Sequence, residues 1–281
     1  ITIPGTFMGI DTGEAYRNAV REPEGQNSDS GNGNQPFEFK NLEINPGDYV
    51  QIPSLKKVIS KFEVPQHNNL KWSDANFKLQ ENGMYMPSVP LFMRHFKNVV
   101  ESYKSNGKKQ LFDAAGNPIP ERELEDIYLH MTEDHIAAYT SEGDNQRGTW
   151  TWLDAYFDER KDGLYVLSEH RMETDSNGNK KLTPLKTEKL EQCLMENSYT
   201  NLDFNMQGLP TKESEKQKYV KGENIYFWHP KDRCVAWFGA IGGRAYLGCD
   251  RYPSSGNPGL GVFAVSDSGD NARIKHGGKP R

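Results

Sequence analysis

The sequence predicts an α+β domain in which helices come first and antiparallel hairpins follow. Three observations carry this. Apolar residues recur at helical spacing over residues 90–106 and again over 121–131. From Trp150 onward, β-rich runs are separated by turn formers such as Asp162-Gly163 and Asn177-Gly178. The order, two helices and then hairpins, suits helices packed on a mainly antiparallel sheet.

Taken in order, residues 1–36 pair a short apolar start with a low-complexity run from Glu22 to Pro36. That run has almost nothing to bury, so a flexible or attachment segment is expected. The main domain is expected over residues 37–265. Phe37, Phe39 and Leu42 lead to the turn Asn45-Pro46-Gly47-Asp48. Tyr49, Val50, Ile52, Leu55, Val58, Ile59 and Phe62 then supply strand positions that should pack on the main domain. Pro90 suits the first turn of the first helix, and Gly107 its C-terminal stop. Phe92, Phe96, Val99, Val100 and Tyr103 form its buried stripe. Leu111 to Pro118 reads as a short strand and turn.

The second helix starts near Pro120, with Glu121 and Glu123 complementing its dipole and Leu124, Ile127, Tyr128 and Met131 turned inward. Trp150 to Met172 is a hairpin about Asp162-Gly163, and Asp175 to Asn179 marks the next turn. Residues 197–212 read as loop, and Asn224 to Trp228 as a strand. Residues 266–281 are polar, then basic and glycine-rich, and read as a solvated tail.

Composition narrows the function. The chain has 281 residues and a formal charge of −5, without the basic stripe of a nucleic-acid binder, so no nucleic-acid partner is expected. Cys193, Cys234 and Cys249 are widely spaced and form no C-x-x-C pair. No apolar run reaches membrane-spanning length, and Ile1 to Gly5 lacks a signal-peptide pattern. Membrane insertion is therefore not expected, and the location stays open.

Catalytic and metal motifs are weak. His130 and His135 are five apart, roughly 140° around a helix of about 3.6 residues per turn, so they do not share a face as zinc ligands do. A solvated helix end is the better reading. Asp175-Ser176-Asn177-Gly178-Asn179 has its glycine misplaced for a calcium loop, and Lys186 stands where a bidentate Glu should fall. Gly239 to Arg244 lacks phosphate-loop spacing. Ser254 and Ser255 have no His and Asp near in sequence. No cofactor, metal or catalytic residue is expected, and the protein is read as a non-enzyme.

The distinctive stretch is Val235 to Val265. Phe238 to Val265 contains no Lys, Glu, Gln or Met, although Lys and Glu abound elsewhere. It is rich in Gly, Ser, Tyr and Asn, which binding loops favour. Its middle alternates: Ala245, Leu247 and Cys249, less well Arg251, hold one parity, and Tyr246, Gly248, Asp250 and Tyr252 the other. In an extended chain those sets face opposite ways, one to a core and one to solvent or a ligand.

With its ending Leu260-Gly261-Val262-Phe263-Ala264 and its core of Ala245, Leu247, Cys249 and Pro253, the segment resembles the variable region of archaeal proteins diversified by retroelements, which lies on a C-type lectin fold. Pro87 to Phe92, Asp113 to Pro118, Trp152 to Ala155 and Gly222 to Trp228 resemble recurring elements of the same proteins. The resemblance implies error-prone copying at template adenines, which forbids Lys, Glu, Gln, Met and Trp at diversified positions. It implies a display protein whose exposed positions are Gly239, Ile241, Tyr246, Gly248, Asp250, Tyr252, Ser255, Asn257 and Gly259, with Gly242, Arg251, Gly256 and Pro258 as further candidates.

Tyr246 and Tyr252 would anchor a protein or glycan ligand. The triplets that bind calcium and sugar in C-type lectins do not occur. Two alternatives stand beside this reading. One is an oxidase of the formylglycine-generating class, whose related fold would require Cys234 and Cys249 as a reactive pair; their positions read instead as buried, inert thiols. The other is an undiversified structural domain of a virion or cell surface.

Overall fold

The computed structural model describes residues 44–64, 70–133, 148–256 and 260–267. The expectations for residues 1–36, Phe37, Phe39, Leu42, His135, Asn257, Pro258, Gly259 and residues 268–281 lie outside them.

The described chain is α+β. Helices α1 (Trp72–Glu81), α2 (Val89–Lys104) and α3 (Glu121–Thr132) accompany strands β1 (Tyr49–Ile52), β2 (Lys57–Ser60), β3 (Trp150–Arg160), β4 (Gly163–Thr174), β5 (Lys180–Lys189), β6 (Ser198–Asn201), β7 (Asn224–Trp228), β8 (Val235–Ala240), β9 (Ala245–Arg251) and β10 (Val265–Asp267). Seven strands form one sheet in the order β5-β4-β3-β8-β9-β7-β6, and β1-β2-β10 form a second. Among the described residues no helix is long and apolar enough to cross a membrane.

The two helices expected from periodicity form where their stripes lie. Phe92, Phe96 and Val99 of α2 are fully buried, as is Ile127 of α3. They cover one face of the large sheet through its Phe238, Ala245, Leu247 and Cys249. Phe238 centres that core, 5.0 Å from Phe92 and 5.1 Å from Phe96 between ring centroids. The early strands pack on the domain as expected, with Val50, Ile52 and Ile59 in the same cluster.

Four features differ from the expectation. A third helix, α1, precedes the other two; it buries only Trp72, Ala75, Asn76 and Leu79, too sparse a stripe to stand out in sequence. It lies on the opposite face of the large sheet, where Trp72 Nε1–H donates to Leu153 O at 2.9 Å and Trp152 Nε1–H to Leu70 O at 2.9 Å. Second, residues 198–201 form a strand, β6, rather than loop. Third, the sheet is mixed: β9 inserts between β8 and β7 and pairs with β7 in parallel, Tyr226↔Tyr246 and Phe227↔Leu247. Fourth, the domain continues past Val265, because Ser266 and Asp267 pair with Val58 and Lys57.

His130 is also corrected. It is buried rather than solvated, and its Nε2 lies 2.7 Å from Glu63 Oε2. The other oxygen of Glu63 accepts the Trp150 N–H at 2.9 Å. Contact with His130 holds the Glu63 carboxyl below its ordinary range against the opposing effect of burial. This carboxylate ties α3 to the first residue of β3.

Candidate functional site

β8 and β9 are joined by a tight turn in which Ile241 N–H donates to Arg244 O at 3.1 Å. Gly242 and Gly243, at its centre, have φ of 63° and 74°. Two successive left-handed residues give the twist a two-residue hairpin needs, and glycine adopts them without a Cβ clash. Gly242 is exposed with open space where a Cβ would point, while its left-handed backbone favours glycine there.

Along β9 the alternation is as expected. Ala245, Leu247 and Cys249 are fully buried on the helix-covered face, whereas Tyr246 and Asp250 are half-buried on the other. The closing segment is frame: Leu260, Val262, Phe263 and Ala264 have no exposed surface. Phe263 packs edge-on to Phe92 at 5.3 Å, and Gly261 N–H donates to Trp150 O at 2.8 Å.

The outward face of the sheet is aromatic far beyond the predicted strip. One row of directly opposed residues runs Trp150, Gly239, Tyr246, Tyr226, Tyr199 across β3, β8, β9, β7 and β6. Five strands at about 4.8 Å spacing make the row roughly 20 Å wide. The next row runs Trp152, Trp237, Gly248, Trp228. At the β3 end Trp150 and Trp152 are buried in the cluster with Trp72, Leu260 and Val262, so the accessible part of the two rows is Tyr199, Tyr226, Trp228, Trp237 and Tyr246. Tyr226 holds three rings edge-on: Tyr199 at 5.0 Å, Trp228 at 5.4 Å and Tyr246 at 6.3 Å. Trp237 stacks on Tyr246 at 6.3 Å with 29° between planes. Such offset and edge contacts make a stiff aromatic floor.

Charged groups edge this floor. The Arg244 guanidinium lies 5.6 Å from the Tyr246 centroid and donates to the Tyr199 hydroxyl at 3.3 Å, which pushes its pKa up. Burial pushes the Tyr246 hydroxyl up, so it stays neutral at physiological pH. A bulge near the end of β9 pairs Val235 with Arg251 where Asp250 would stand in regular register. The extra residue re-aims a side chain. Arg251 thus leaves the inward parity and rests 5.0 Å from the Trp150 ring and 5.2 Å from the Trp237 ring. Asp250 accepts the Trp237 Nε1–H at 3.3 Å. Burial pushes the Arg251 guanidinium below its ordinary value, and the nearby Asp250 opposes that shift.

The remaining candidates separate. Tyr252 is 63% exposed, and its carbonyl accepts the Ser255 N–H at 3.0 Å. Gly256 is exposed with open space where a Cβ would point. Ile241 is half-buried and packs with Trp237 against the cluster around Trp152 and Leu260. Gly239 and Gly248 are corrected: both are buried, because Trp237 lies over them. A Cβ at Gly239 would meet Trp237 Cζ3 at 3.1 Å and Trp150 Cδ1 at 3.4 Å, and one at Gly248 would meet Trp237 Nε1 at 2.0 Å.

Trp150, Tyr199, Tyr226, Trp228 and Trp237 were not assigned to the site from the sequence. Their parity along β3, β7 and β8 was a usable signal, but the strand order that aligns them was not.

The side chains gathered here offer stacking, cation–π contact and hydrogen bonding. Cys234 and Cys249 are buried free thiols pushed up by burial, and Cys193 is pushed up to about 11. Thiols held protonated in this way are weak nucleophiles. Among the described residues no three His, Cys, Asp or Glu side chains converge as a metal site would require. The chain matches no protein-family model, no curated protein and no solved structure.

Proposed function

We propose that this chain is a ligand-binding display protein on a C-type lectin-like scaffold, with a segment near residues 235–265 diversified by a retroelement through adenine mutagenesis. The observation that carries the reading is the separation of roles along β9 and the loop after it. Ala245, Leu247, Cys249, Val262 and Phe263 are fully buried, while Tyr246, Asp250, Arg251, Tyr252, Ser255 and Gly256 keep solvent contact. This reading requires that variation at the second set leave the packing of the first unchanged. The absence of Lys, Glu, Gln and Met between Phe238 and Val265 is compatible with adenine mutagenesis.

The target is a protein or glycan surface. Tyr246 and Tyr252 supply amphipathic contact area at low entropy cost, and Asp250 with Arg251 supplies charge selectivity. Beside Tyr246, the rings of Tyr199, Tyr226, Trp228 and Trp237 form a floor of which only Trp237 belongs to residues 235–265. This divides the labour between an affinity-giving platform and a selectivity-giving strip.

The deciding experiment is to sequence the DNA around the coding region. The expected result is a near-copy of the segment's DNA that differs at adenines, beside a reverse-transcriptase gene. A single-copy segment with no such neighbour would leave an undiversified surface domain as the reading.

A further inference from the structure

Gly248 of β9 and Trp237 of β8 are directly opposed, and the indole lies across the glycine. A Cβ at residue 248 would sit 2.0 Å from Nε1, 2.2 Å from Cε2 and 2.7 Å from Cζ2 of Trp237. Carbon atoms pack on ring atoms at about 3.5–4.0 Å, so no residue other than glycine coexists with this indole pose. The backbone has little freedom to yield. Gly248 is paired on both sides, to Trp237 on β8 and Trp228 on β7, and its neighbours Leu247 and Cys249 are fully buried. Relief therefore comes from the indole.

Several contacts move with that indole. Its N–H is held by Asp250 at 3.3 Å, and its face supports the Arg251 guanidinium at 5.2 Å. It stacks on Tyr246 at 6.3 Å, and its Cζ3 closes the space over Gly239.

We propose that residue 248 is a specificity-determining position that acts through Trp237 rather than by touching ligand itself. With glycine, the indole stays down, covers Gly239 and Gly248, and occupies Asp250; the face offers an aromatic floor suited to flat apolar ligand surfaces. With any larger residue, the indole turns out of the row. Asp250 loses its indole donor and Arg251 one of its two ring walls, Gly239 loses the Trp237 edge over it, and the face becomes a charged cleft suited to polar ligands. One substitution thus changes the class of ligand accepted. This deepens the display reading and takes its biological meaning from it. The coupling itself is testable without a ligand, so that reading can fail while the coupling stands.

The test is a double-mutant cycle in the full chain with Gly248→Ala, Trp237→Ala and the double variant. Stability is read by urea unfolding, and the Trp237 indole N–H by hydrogen exchange in NMR. In the wild-type background, Gly248→Ala is expected to lower the folded-to-unfolded ratio about tenfold or more and to speed exchange of the Trp237 indole N–H about tenfold. In the Trp237→Ala background the same change is expected to cost less than about threefold, because the obstructing ring is gone. An equal cost in both backgrounds, or an unchanged exchange rate, overturns the proposal. Should Gly248→Ala alone fail to fold, the double variant decides: folded sustains the coupling, unfolded overturns it.

Discussion

Asp154 and His170 are joined twice across β3 and β4. Asp154 Oδ1 lies 2.5 Å from His170 Nδ1, and Asp154 Oδ2 accepts the His170 backbone N–H at 2.9 Å. Both residues are buried, and the Trp72 ring of α1 stands edge-on to the imidazole at 5.0 Å. The pair thus gives the Trp72 ring of α1 a buried imidazole to pack against on the sheet.

Removing one member leaves the other's polar atoms buried without a partner. Asp154→Ala is expected to cost about 3 kcal/mol of stability. Asp154→Asn keeps a carbonyl acceptor and should recover part of that loss. Urea unfolding of the two variants, read against the wild type, checks the order.

His95 gives a pH prediction of opposite character. It is fully buried on α2, beside Phe92 and Phe263, with neither ring nitrogen hydrogen-bonded. Burial lowers its pKa from 6.5 to about 3. Below about pH 6.5 the unfolded chain takes up a proton that the folded chain refuses. Stability from this residue is thus complete above that pH and falls toward pH 3 by up to about 1.4 kcal/mol per pH unit. His95→Leu is expected to flatten that slope and to stabilise the protein at pH 5. Unfolding curves at pH 7, 6 and 5 for both proteins measure it.

The helices α2 and α3 and the β3–β4 hairpin were legible because each announces itself locally: an apolar stripe of period 3.6, or an Asp-Gly turn between β-formers. The alternation on β9 was legible for the same reason. What escaped was non-local. Nothing in the sequence places β9 between β8 and β7, and that insertion is what aligns Tyr226 and Tyr199 with Tyr246. The bulge opposite Val235 reverses Arg251 and cannot be seen from parity alone. Gly248 reads as a vacant position because its occupant, Trp237, comes from the facing strand, and Gly239 because Trp237, two residues earlier on β8, and Trp150 of β3 close over it. His130 read as exposed because its partner, Glu63, lies 67 positions away in the chain.

Fold and display should respond differently to substitution. Phe263 is fully buried between α2 and the sheet, so Phe263→Ala is expected to cost about 3–5 kcal/mol. Tyr252→Ser and Ser255→Ala, in the solvent-contacting loop, are expected to stay within about 0.5 kcal/mol of the wild type. Thermal unfolding of the three variants tests the separation; a loss at Tyr252 or Ser255 comparable to that at Phe263 would mean that the loop is part of the frame.

Arg251 fills a slot whose two walls, Trp150 and Trp237, belong to different strands. A cation over an indole is worth about 0.5–1 kcal/mol in exposed settings and about 2 when desolvated. Arg251→Ala is therefore expected to cost about 1 kcal/mol and to leave an aromatic slot beside the Asp250 carboxylate. Arg251→Lys should recover less than half of that, because an ammonium on a flexible stem lacks the planar guanidinium that stacks on a ring. Methylguanidinium titrated into Arg251→Ala should quench tryptophan fluorescence saturably at millimolar concentrations, whereas the wild type, its slot already filled by its own side chain, should respond only weakly and without saturation. Identical titrations of the two proteins would mean that the slot closes when Arg251 is removed, and that the cation–π contact is a consequence of packing rather than a preformed site for a cationic ligand.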